Sequence, residues 1–105
     1  MLRIETHCEM FPLLHEQRDN PLELFQIWFN SSPEQKQQDA DYKMLWREQI
    51  PHVIEQYRKV DIRVISGHYQ NTAALTRPPH SWSTPPENKV TIYMITLPAH
   101  THMSI

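Results

Sequence analysis

Cysteine and glycine each occur once in this chain, as Cys8 and Gly67. A single cysteine excludes an internal disulfide framework and a cysteine-based zinc knuckle, and it fits a reducing interior. One glycine against nine prolines leaves proline, asparagine and aspartate to make most of the turns. Neither charge sign dominates: the net charge of -2 supplies no electrostatic drive toward nucleic acid or an anionic membrane surface. No apolar run approaches the roughly 18 residues that span a bilayer, and the first residues lack the basic and apolar regions of a signal peptide. These absences describe a soluble, cytoplasmic protein that binds neither nucleic acid nor membrane. At 105 residues with 39% apolar composition, the chain has enough material for one modest core.

The first extended stretch carries the clearest chemistry. If residues 2–10 form a strand, Leu2, Ile4, Thr6, Cys8 and Met10 fill one face, and Arg3, Glu5, His7 and Glu9 share the other. His7 and Glu9 then point the same way, an imidazole and a carboxylate that make half a site for Fe(II), Mn, Ni or Zn. The same spacing also describes a solvated strand face with an incidental His-x-Glu. Cys8, facing away from His7, reads as a small buried hydrophobe.

Residues 22–30 are the most apolar window, bounded by turn residues and rich in β-formers, and they predict a central strand covered on both faces. Gln26 within it would need a hydrogen-bond partner. Residues 31–39, polar and containing Pro33, predict a surface loop. Tyr42, Leu45, Trp46 and Gln49 recur at helical spacing between Asp39 and Pro51, predicting one short helix over residues 40–49 with Trp46 as a core anchor. Residues 52–57 are ambiguous between helix and strand. In residues 60–67, Val60, Ile62 and Val64 alternate with Asp61 and Arg63 before Gly67 allows a turn. Residues 76–88 are proline-rich and predict an extended surface linker. Residues 89–97 predict the last strand, and beyond it His100 and His102 offer two imidazoles at strand spacing, as metal donors or as chance members of a histidine-rich set. Both chain ends read as cut from something larger.

Four stretches, taken in order, resemble the pirin family of the cupin superfamily. Thr6-His7-Cys8-Glu9-Met10 looks like the pirin His-Ser-Glu-Met or His-Ala-Glu-Met segment. Phe25-Gln26-Ile27-Trp28-Phe29-Asn30 is similar to Leu-Gln-Leu-Trp-Val-Asn, Ile50-Pro51 to Ile-Pro, and Val64-Ile65-Ser66-Gly67 to Val-Ile-Ser/Ala-Gly. The resemblance implies an all-β fold, a partial cupin (jelly-roll) β-sandwich with one short helix. Residues 1–66 would be the second half of an N-terminal cupin, and residues 67–105 a linker and the first strand of a C-terminal one. It further implies a metal, usually iron or another divalent transition metal, held in the family by three histidines and one glutamate. His7 and Glu9 match the third and fourth of these ligands, while the upstream His-x-His pair and the glycine-rich turn have no counterpart here. The family activity so implied is metal-dependent quercetin 2,3-dioxygenase, with a flavonoid-like small molecule as substrate and an incomplete metal site in this chain. The alternative is a non-catalytic pirin-like module that acts in protein interaction or regulation. A jelly roll missing part of its strands exposes open edges, so a homo-oligomer is expected.

Overall fold

A computed structural model describes residues 8–105. The chain divides into two compact units, Met1–Ala40 and Asp41–Ile105. Regular structure among the described residues is antiparallel sheet with almost no helix, limited to single 3-10 turns at Gln35–Gln37 and Pro86–Asn88. No helix among them is long and apolar enough to cross a membrane.

The second unit is built outward from one strand. Five strands lie there: β1 (His52–Glu55), β2 (Val60–Ser66), β3 (His68–Tyr69), β4 (Thr72–Ala73) and β5 (Ile92–Thr96). β2 is the centre of a three-stranded antiparallel sheet ordered β1-β2-β5, and β3 pairs with β4 in a small hairpin. The expected alternation holds, since Val60, Ile62, Val64 and Ser66 are buried while Asp61, Arg63 and Ile65 are only half so. β-branched side chains at every second position suit a pleated surface with one buried face. The β1–β2 ladder runs from His52 opposite Arg63 to Glu55 opposite Val60, and the Val64 N–H extends it to the Pro51 carbonyl at 2.9 Å. On the other side Asp61 faces Thr96 and Val64 faces Tyr93, with a bulge between Val64 and Ser66. The β2–β5 pairing joins residues on both sides of position 66.

Tyr93, as the cross-strand partner of Val64, projects from the buried face. Its ring meets Tyr69 edge-on at 5.6 Å between centroids, and its hydroxyl donates to the His68 carbonyl. The β3–β4 hairpin is thereby tied to the sheet. The segment after β5 returns past β1 and β2, where an Arg58 guanidinium N–H donates to the His102 carbonyl at 3.3 Å. On the opposite face of the sheet, the Asp61 carboxylate lies 3.3 Å from Nδ1 of His52 and 3.6 Å from the guanidinium of Arg63.

Several expectations fail in the first unit and at its border. Residues 22–30 form no strand, and Phe25 and Trp28 are 78% and 81% exposed. High β-propensity describes fitness for a packed pleat, and the described residues of the first unit hold no other strand to make one. Gln26 consequently faces solvent. Residues 40–49 do not form the expected helix: only a turn at 47–49 appears, Trp46 is exposed, and its backbone N–H donates to the Gln49 side-chain oxygen at 3.3 Å. A short amphipathic stretch gains little from helix formation unless its apolar stripe is buried. Residues 31–39 are a surface loop, as expected. Here the Glu34 carboxyl is held below its usual range by hydrogen bonds from its own backbone N–H and from Ser32. The preceding turn is organised by Asn20, whose side chain accepts from the N–H groups of Leu14 and His15 and donates to the His15 and Arg18 carbonyls.

Chain reversal at Gly67 requires its φ of +83°, and a Cβ there would stand 2.8 Å from Oγ1 and 3.3 Å from Cα of Thr91. Gly67→Ala should therefore lower stability by at least about 1–2 kcal/mol, the left-handed cost alone, read as a reduced urea midpoint. Lys59 closes the β1–β2 turn with φ +54°. Lys59→Gly should raise the midpoint, with a net gain of about 0.5–1 kcal/mol after glycine's own entropy cost.

Candidate functional site

His7 lies outside the described residues. Glu9 is exposed, and residues 8–10 are not in a strand. Cys8 is an exposed free thiol, contrary to the expected buried hydrophobe, because no packed strand face is formed there to receive it. His100 and His102 are both exposed on the segment after β5, with His100 at φ +60°. Together with Tyr57, Arg58, Lys59, Pro98 and Thr101 they line a recess of about 310 Å³ beside the β1–β2 turn. Among the described residues no three His, Cys, Asp or Glu side chains gather as a metal-binding group. Two donors hold a divalent ion weakly where the pirin set uses four.

A larger concavity of the second unit lies elsewhere. A cleft of about 590 Å³ runs between the Gly67–His68 and Ala73–Arg77 stretches on one side and Thr84, Pro86 and Lys89–Thr91 on the other. It depends on the proline-rich segment, which is folded back on itself instead of extended. The Ser81 N–H donates to the Pro78 carbonyl at 3.1 Å, and the Thr84 N–H to Ser81 at 2.9 Å. The Thr84 hydroxyl donates to the Pro78 carbonyl at 2.6 Å, and the Asn88 side-chain amide to the Trp82 carbonyl at 2.5 Å. Prolines preset φ and supply carbonyls without competing N–H groups, so side-chain donors close the turns.

Arg77 pins this fold. Its guanidinium donates to the Ser83 carbonyl and, at 2.9 Å, to the Val90 carbonyl. Val90 also accepts from the Ser66 hydroxyl at 3.0 Å, which links the cleft wall directly to β2. Farther along, Nζ of Lys43 reaches the carbonyl and hydroxyl of Thr76 at 2.9 and 2.6 Å. The cleft lining holds Arg77, Lys89 and His68 and no carboxylate, with Ala73, Ala74, Leu75 and Val90 supplying apolar surface.

Arg77 and Lys89 were not among the expected site residues. A signal exists in the sequence: across residues 67–91 the one acid is Glu87, against Arg77, Lys89, His68 and His80. Comparisons with protein-family models, curated proteins and solved structures give no match for this chain.

Removing the Arg77 donors strands the Ser83 carbonyl and leaves the Val90 carbonyl with the Ser66 hydroxyl as donor. Arg77→Met should cost about 1.5–3 kcal/mol in denaturant unfolding, with a comparable volume of side chain retained, and should speed proteolysis within residues 78–90.

Proposed function

We propose that the chain is a pirin-like, cupin-derived β protein that serves as an interaction module, engaging a second copy of itself through the apolar segment 22–30. The observation that carries this reading is the exposure of Leu22, Leu24, Phe25, Ile27 and Trp28, five large apolar side chains within seven residues. A contiguous exposed patch of this kind marks a contact surface more often than a free one. Its β-forming composition suits strand addition, in which backbone hydrogen bonds give affinity and alternate side chains give register. The partner barrel strands that the resemblance implies would be supplied in trans. A cytoplasmic location suits the exposed thiol of Cys8, which a reducing compartment keeps free.

The family's dioxygenase activity is the competing reading, with His7 and Glu9 as ligands of iron or another divalent metal and a flavonoid-like substrate. It requires donors beyond those two.

Sedimentation equilibrium at micromolar concentration should give a dimer, and Trp28→Glu should shift it to monomer while leaving far-ultraviolet circular dichroism unchanged. A wild-type monomer up to 100 micromolar, on the order of ten times the dissociation constant of a weak dimer, removes the interaction reading. Elemental analysis after dialysis against a chelator decides the competing one. Stoichiometric retention of a transition metal, abolished by His7→Ala, would establish a metal protein instead.

A further inference from the structure

We infer that the cleft between Ala73–Arg77 and Lys89–Thr91 is a binding site for a small organic carboxylate whose apolar body lies on the cleft floor. Charge is the first argument. Arg77, Lys89 and His68 line the cavity and no Asp or Glu does, although acids outnumber Lys and Arg in the chain as a whole, twelve to ten. A concave surface lined by one sign of charge focuses its field and selects ligands of the other sign.

Preorganisation is the second argument. The Arg77 guanidinium is half-buried and held by the Ser83 and Val90 carbonyls, so its plane is set before any ligand arrives. Two of its five N–H donors are used in this way, which leaves further donors of a rigid fork to meet a carboxylate. Lys89 lines the same cavity in the left-handed conformation at φ +48°, directly after the Pro86–Asn88 turn. No hydrogen bond or ion pair among the described residues engages its ammonium group. A fixed guanidinium with a mobile ammonium is a suitable pair for one anionic head: the first sets orientation and the second closes on it.

Shape and hydropathy define the rest of the ligand. About 590 Å³ falls within the range of roughly 300–1,000 Å³ typical of small-molecule sites. Ala73, Ala74, Leu75, Pro86 and Val90 offer an apolar bed, and Thr84 and Thr91 also line the cavity. An inorganic anion would leave that bed uncovered. A neutral apolar molecule would leave the cations unused. The site therefore fits an aromatic or branched aliphatic acid, and this assignment is independent of the self-association proposed above.

The test is a nitrogen-15 NMR titration of the full chain at low salt with 2-naphthoate, its uncharged amide, and inorganic phosphate. Expected are saturable naphthoate shifts at the amides of Gly67, residues 73–77 and residues 89–91, with the naphthamide and phosphate each weaker by about tenfold or more. Lys89→Gln should weaken naphthoate binding several-fold without altering the spectrum elsewhere, and Arg77→Lys should weaken it further. Arg58→Gln, in the separate recess beside His102, should change nothing. Because Arg77→Lys also loosens the cleft wall, Lys89→Gln is the deciding variant. Equal affinity for acid and amide, shifts centred outside the cleft, or full affinity in Lys89→Gln would each overturn the assignment.

Discussion

Everything ordered in the second unit depends on burying one row of side chains, Val60, Ile62 and Val64, between flanking strands. These three are the fully buried hydrophobic side chains among the described residues. Because the row lies on the central strand, both neighbours are needed: β1 supplies one ladder and β5 the other. A core this small gives each member weight, since truncating a fully buried isoleucine typically costs 2–5 kcal/mol, which is of the order of a small domain's whole margin.

The same row positions the cleft. Ser66 ends the buried face of β2, and its hydroxyl meets the carbonyl of Val90 that Arg77 also holds. Gly67 then turns the chain against Thr91 closely enough to exclude any side chain. Sheet, turn and cleft wall are thus one connected construction: the strand that is best buried also fixes the backbone on which the cationic cavity is built. The exposed apolar segment of the first unit has a different character, with large side chains and no ordered surface to receive them. The first feature suits a small, charged ligand, and the second suits a chain surface.

What could be read in advance follows from this difference. Strict alternation at Val60, Ile62 and Val64, closed by a glycine, announces a half-buried strand because period and turn signal agree, and β5 falls within the strand expected over residues 89–97. Residues 22–30 carried a stronger apolar signal and form no strand. Apolar composition reports what a segment gains if covered, and the cover must come from somewhere else in sequence. Tyr42, Leu45 and Trp46 fail as a helix for the same reason. The proline-rich run departs from expectation in the opposite direction, because its order comes from side-chain donors such as Arg77, Thr84 and Asn88 reaching carbonyls, and no local periodicity records them. Of the expected ligands, Glu9 is exposed on irregular backbone and His7 lies outside the described residues. Arg77 and Lys89 could have been noticed only as cations in a stretch nearly free of acid.

Four residues with side chains, Lys59, Gln70, Lys89 and His100, occupy left-handed backbone at reversals where glycine would be the relaxed choice. The cost of that arrangement is local, and its benefit appears in the denatured ensemble. A chain with nine prolines and one glycine samples fewer conformations when unfolded than its length suggests. Less entropy is then surrendered on ordering each residue, from a usual cost of about 1–2 kcal/mol for the backbone. A three-residue buried row can accordingly hold together a longer stretch of chain than it would in a glycine-rich sequence, and the stiffness of the unfolded polypeptide becomes part of what stabilises the folded one.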